Sequence, residues 1–229
     1  MCIKELLWIG GCFWLVNRGT PDHGALGPFG EPAEMIVQSL TSEYADTNEY
    51  AQLKTSEFFS FFHVTEVGRE HEPDGTTIVR LEPGGFKEFI DIELRLDALS
   101  NVRQGRLLLD REWVGDQNRI NPFAKDIAKS FLSALAPKAD QGRMAVFADA
   151  LRNLAGTEDR YLKRSQPNSP ERADRTVDAE VLHAVGVFVG TEHQLDVKLT
   201  ASELRLSNID EEGRSRVQMT VVRRGKTAR

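Results

Sequence analysis

Apolar and polar side chains alternate along residues 89–113 with the two-residue period of a half-buried strand. Ile90, Ile92, Leu94 and Leu96 fall on one face, and Asp91, Glu93, Arg95 and Asp97 on the other. A second run, residues 102–113, follows after a short break at 98–101, so the segment predicts a hairpin in a sheet with one dry face and one wet face. Residues 57–67, rich in Phe and β-branched types, predict an earlier strand, with Phe59 and Phe61 on one side and Phe58 and Phe62 on the other. Glu72-Pro73-Asp74-Gly75 is a turn, and residues 76–81 form the return strand.

The period then changes. Asn121-Pro122 reads as a helix start, with a capping side chain before a proline, and Ile127, Phe131, Leu132 and Leu135 recur at helical spacing. Pro137 ends that helix, and Asp140 is expected to cap a second one that carries Met144, Phe147, Ala148, Leu151 and Leu154 on its apolar side. Residues 157–178 are densely charged and hold Pro167 and Pro170, which predicts a linker or long surface loop. Four strand-like runs follow at 181–189, 195–200, 204–209 and 216–222, with no helix among them. A block that small, without cysteines, has too little core to stand alone, so it should pack on the first block or extend its sheet. The expected fold class is therefore α+β: antiparallel β-meanders of about eight strands, with a helical pair packed on one sheet face. The expected organisation is an apolar N-terminal segment with a Gly/Pro loop over 1–34, then a single domain over 35–229 that opens with a helix at 32–40.

The N-terminal segment adds a separate question. Residues 6–16 are uncharged and mostly apolar, with Trp8, Phe13 and Trp14, but too few to span a bilayer, which takes about 20 residues. Ile9-Gly10-Gly11-Cys12 resembles the lipobox that precedes a lipidated cysteine in bacterial lipoproteins. That resemblance implies an envelope lipoprotein anchored at Cys12, and contact with a membrane only if Cys12 is lipidated. The alternatives are a short strand or helix packed on the core, and a misassigned start of the reading frame. The compartment stays open between cytoplasm and bacterial envelope, because Cys2 and Cys12 are the only cysteines and neither lies in the body of the chain.

Charge narrows the partners. Net charge is −6, and the one basic cluster, Arg223, Arg224, Lys226 and Arg229, reads as a solvated end. No nucleic-acid partner is expected, since that would call for a basic stripe. The chain has no P-loop, no G-x-G-x-x-G after a strand, no G-x-S-x-G, no H-E-x-x-H and no C-x-x-C, so no cofactor is expected.

The candidate chemistry centres on Arg111. Continued alternation would place it with Leu107, Leu109 and Trp113 on the dry face, where a guanidinium must be paired or must bind an anion. Stacking on Trp113 would hold it. The alternatives are a structural ion pair and a bulge that turns Arg111 outward. Glu112, with Asp110 and Asp116 nearby, and His63 are the candidates for acid–base work; on strands, such carboxylates are more often a solvated face. His63, Glu66 and His71 would need helical spacing to share a metal, and a strand there separates them, so no metal site is expected. The resulting ligand-binding set is Arg111, Trp113, His63 and Glu112. The function expected first is a non-catalytic binding or interaction module, with a protein partner or small ligand, using the phenylalanine cluster or a sheet edge. The second is a binder of an anionic or apolar small molecule, or a hydrolase, with a pocket between sheet and helices.

Overall fold

The computed structural model describes residues 48–116, 118–154, 175–211 and 213–224, which all belong to one compact unit, Asp46–Arg229. The expectations for Cys12, for the segment 1–34, for the helix at 32–40 and for the linker up to residue 174 lie outside the described residues. Two short helices, α1 (Glu49–Lys54) and α2 (Glu57–Phe61), precede a four-strand meander: β1 (Thr65–His71), β2 (Thr77–Glu82), β3 (Ile90–Leu96) and β4 (Val102–Asp110). A one-turn helix α3 (Arg111–Val114) and a two-residue hairpin, β5 (Gly115–Asp116) with β6 (Arg119–Ile120), lead into α4 (Pro122–Leu135) and α5 (Gln141–Arg152). After α6 (Arg175–Val189) come β7 (Gln194–Lys198), β8 (Ser202–Glu211) and β9 (Arg214–Arg223).

The main sheet has seven strands in the order β1-β2-β3-β4-β9-β8-β7, every neighbouring pair antiparallel. The fold is α+β. The chain leaves the sheet after β4, builds its helical layer, re-enters at the far edge with β7 and works inward until β9 pairs with β4. The last strand is therefore central, and the two meanders share one sheet through the β4–β9 ladder, with Leu107 opposite Met219.

Alternation decides which face is covered. Val79 and Leu81 of β2, Ile92 and Leu94 of β3, Leu107 and Leu109 of β4, and Val217 and Met219 of β9 are all buried. α4 lies on β4 and β9, α6 on β7 and β8, and α5 against both helices. Asn121 caps α4 as expected, its Oδ1 accepting from Phe123 N at 2.9 Å, and Pro122 takes the first helical position. The opposite sheet face is a mesh of ion pairs: Arg80 with Glu70 (3.1 Å), Arg95 with Glu93 (3.3 Å), Arg106 with Glu211 (3.0 Å) and Arg205 with Glu203 (2.8 Å).

Four expectations need correction. Residues 57–61 are a helix, not a strand, and the chain enters β1 only at Thr65, after His63 has taken a left-handed φ of 50°. Residues 181–189 are the second half of α6, so the C-terminal block does contain a helix, which rests on its own strands. Asp140 makes no capping bond to α5; it is buried and reaches across to the β7–β8 turn. Arg223 is not a solvated end. Its Nε and Nη2 donate to the Leu135 carbonyl at 3.2 and 3.1 Å, closing the C-terminus of α4, and its other amino group pairs with Glu49. A cation suits that place, because the last carbonyls of a helix lack intrahelical donors.

The outer strand β1 is tied down by Glu66, which accepts from the Tyr50 hydroxyl (2.9 Å) and from Arg69 Nε and Nη2 (2.7 and 3.0 Å). The Arg69 bonds outweigh partial burial and, with Tyr50, hold the Glu66 carboxyl at about 2, below its ordinary 4.5. Burial, and then Glu66, push the Tyr50 hydroxyl up. A depressed carboxylate stabilises the fold above its unfolded value, and the contribution fades as pH falls toward the folded value. The melting-temperature gap between the parent and Glu66→Gln should thus be full above pH 4.5 and close as pH falls toward 2. A gap that widened with acid would contradict this assignment.

Candidate functional site

Many of the aromatic side chains among the described residues collect at one end of the sheet. α2 supplies Phe58, Phe59 and Phe62 to the core at helical spacing, while Phe61 points outward and is 68% exposed. The loop between β2 and β3 folds back on the end of α2, where Gly84 N donates to the Phe62 carbonyl at 2.9 Å. A Cβ on Gly84 would stand 2.9 Å from His63 Cβ, so this approach requires glycine. Two residues later Phe86 adopts φ 59° and remains 46% exposed. A bulky side chain in that region carries strain of about 1–2 kcal/mol.

Trp113 meets this loop from the other side. Its position follows from Asp110, which ends β4 and caps α3, accepting from Glu112 N and Trp113 N at 3.0 and 3.1 Å. The Trp113 ring lies parallel to Phe89 with centroids 5.7 Å apart, meets Phe86 at 5.6 Å and approaches Phe123 at 6.1 Å. Phe123 touches Phe86 (4.8 Å) and Phe62 (5.2 Å), and Phe62 meets Phe61 (5.0 Å). Rings from the β2–β3 loop, α2, α3 and α4 thus form one connected cluster with its outermost members in solvent.

Arg111 sits elsewhere than the alternation implies. β4 stops at Asp110, and Arg111 opens α3, so it does not continue the Leu107–Leu109 face. Its guanidinium donates to the Gly115 carbonyl and to Asn208 Oδ1 (3.2 Å). Asn208 in turn donates to the Val187 and Glu192 carbonyls at 2.9 and 2.8 Å. Burial pushes the Arg111 guanidinium down from its ordinary value, and the charge of Asp116 pulls it back up. This network binds α3, the end of α6 and β8 together.

No family model, curated protein or solved structure matches this chain.

Two clefts open near the aromatic end. The smaller, about 440 Å³, is lined by Glu112 and Trp113 together with Asp116, Arg119 and Asn121. The structure thus brings two of the expected residues, Glu112 and Trp113, to one cleft. His63 is exposed beside Gly84, and neither it nor Arg111 lines either cleft. Asp116 and Asn121 are already engaged, accepting backbone bonds from Asn118, Arg119 and Phe123. The larger cleft, about 730 Å³, lies between α2 and α4 and reaches the end of α5. Phe58, Phe61, Phe62 and Ala134 form its apolar part, and Ser60, Ser130 and Ser133 add hydroxyls. Sequence reading singled out the phenylalanines but assigned them alternating strand faces. The Phe58/Phe62 spacing of one helical turn was the available signal for the cleft wall. Among the described residues no group of three or more His, Cys, Asp or Glu side chains is placed to hold a metal, and no helix is long and apolar enough to cross a membrane.

Proposed function

We propose that this chain is a binding module and that its working surface is the aromatic end. The observation that carries the reading is Phe86, a large apolar side chain held exposed by a strained backbone. The ring packs on Phe123 and Trp113 yet leaves nearly half of its surface in water at a strained position, and strained positions and exposed apolar surface concentrate where proteins bind. A non-catalytic role is supported by the structural engagement of two of the charged side chains at this end. Arg111 braces α3 against β8, and Asp110 caps α3. The arginines on the open sheet face are matched by carboxylates, which favours no polyanion.

The test is a fragment screen by protein-observed NMR on the full chain, using small ring compounds. Shifted signals should concentrate on the aromatic end, in residues 56–62, 86–89, 113 and 123–134. They should be lost in the double variant Phe61→Ser, Phe86→Gly. That variant should melt a few degrees below the parent but stay folded, because relief of the positive φ at residue 86 offsets part of the packing lost on Phe123 and Trp113, and Phe61 is mostly in water. Hits spread evenly over the surface, or unchanged by the double variant, would remove the reading.

A further inference from the structure

The larger cleft differs from the rest of the aromatic end in how its charges are arranged. Lys129 and Arg152 both line it, together with Asp126 and Glu57. Each cation has a carboxylate beside it: Lys129 Nζ lies 3.4 Å from Asp149 Oδ1, and Arg152 Nε lies 3.6 Å from Asp126 Oδ1. The charges of the lining balance, two cations against Glu57 and Asp126, so the rim has no net pull on an anion. An entering anion would gain only water-screened contacts with these cations and would also face the carboxylate of Glu57. An entering ammonium would find only Glu57, on an exposed residue where water screens the attraction.

What remains on offer is neutral. Phe58 and Phe62 line it as buried rings, Phe61 as an exposed one, and Ala134 adds a small apolar group. Ser130 and Ser133 are on α4, with Ser60 facing them from α2. Serine hydroxyls donate and accept at once, so they suit an alcohol, amide or carbonyl rather than a full charge. About 730 Å³ falls in the volume range of small-molecule sites.

Resting on the binding-module reading above, we infer that the α2–α4 cleft is the ligand site and selects an uncharged small molecule with a flat apolar ring and a hydroxyl or amide group. The ring lies against Phe61 and Phe62, and the polar group reaches the α4 serines.

Three probes with one ring and three charges test this: tryptophol (neutral), indole-3-acetate (anionic) and tryptamine (cationic). Each is titrated into the full chain and followed by amide NMR shifts. Tryptophol should bind saturably, with shifts mapped to residues 56–62 and 126–134. Indole-3-acetate should bind at least about tenfold more weakly, and tryptamine no more tightly than tryptophol. Ser133→Trp fills the cleft from an exposed helix position and should abolish the tryptophol shifts. Should that variant fail to fold, Phe61→Ala removes the wall at a site mostly in water and should weaken tryptophol several-fold. Equal affinity for all three probes overturns the inference, as does tryptophol binding that both variants leave unchanged. Tryptophol shifts confined to Phe86, Phe89 and Trp113 would overturn the cleft assignment while leaving the binding-module reading intact. No binding of any probe would overturn the inference, leaving that reading to the wider fragment screen.

Discussion

Gly105→Val should destabilise the fold by about 3 kcal/mol, roughly 10 °C in melting temperature for a chain of this size. Gly105 lies in β4, opposite Leu94 of β3 and Val221 of β9, where α4 comes closest to the sheet. Even a single Cβ there would stand 2.1 Å from Leu135 Cδ1 and 3.3 Å from both Leu94 Cδ2 and Phe131 Cζ. Two effects oppose each other. Replacing a strand glycine lowers the entropy of the unfolded chain, worth about 0.4–1 kcal/mol in favour of folding. Against it stands overlap with buried side chains: Phe131 has no exposed surface and Leu135 is 2% exposed, so neither can turn into water. The overlap should win. The milder Gly105→Ala gives a cleaner measurement, because its one methyl group meets mainly Leu135. Leu135→Ala alone should cost about 2–5 kcal/mol through the cavity it leaves. Combined, the two changes should cost clearly less than their sum, since the new methyl group enters the space that Leu135 vacates. Denaturant unfolding of the four proteins measures that coupling. Strict additivity would mean that α4 does not sit on Gly105 as described.

This contact marks one boundary of what the sequence reveals. The alternation in β3 announced its buried face, and Asn121-Pro122 announced the start of α4, because each signal is local and repeats over several residues. Gly105 reads only as a glycine within a strand; that a helix rests on it depends on residues thirty positions later. The two misread segments show a different boundary. Residues 57–61 offer barely more than one helical turn, too short for period 2 and period 3.6 to be told apart, and the run of phenylalanines then favoured a strand. For α6 the distinguishing information was present. Val181, Ala184, Val185 and Phe188 are buried and recur at helical spacing, and Gly190, at φ 88°, is a helix-ending glycine. The β-branched valines outweighed that spacing in the reading, whereas packing on β7 and β8 decides it in the fold.

The candidate site was less legible than the fold for the same reason. Phe61, the Phe86–Phe89 loop, Trp113 and Phe123 come from four separate segments, and nothing local to any of them indicates that the rings meet. Arg111 was placed by extending the β4 alternation past its end at Asp110, as far as Trp113. The carboxylate of Asp110 stops the strand by capping α3, and the side chain that looked inward becomes a brace at the end of the sheet.

Asp140→Ala should have the other large effect, a loss of about 3–4 kcal/mol. Asp140 is 1% exposed and has no cation among its hydrogen-bond partners in the described residues. Its carboxylate instead accepts three bonds from the β7–β8 turn: Thr200 N at 2.9 Å, Ala201 N at 3.0 Å and the Ser202 hydroxyl at 2.6 Å. A buried charge is tolerated only when its oxygens are met by donors, and bonds to charged acceptors are the stronger class. Alanine would leave two part-buried backbone N–H groups of a tight turn and the buried Ser202 hydroxyl without their acceptor. Asp140→Asn separates charge from shape. One amide oxygen can still accept, but the amide NH₂ then faces a backbone N–H, so about half of the loss should remain. Ser202→Ala should be mild in the parent and nearly silent in Asp140→Ala, since its hydroxyl bond goes to the same carboxylate. Hydrogen exchange gives the spatial readout. In Asp140→Ala the amides of residues 200 and 201 should lose protection first, while β3 and β4 keep theirs until global unfolding. Uniform loss over all strands would show that Asp140 acts on the whole core and not through the turn that joins β7 to β8.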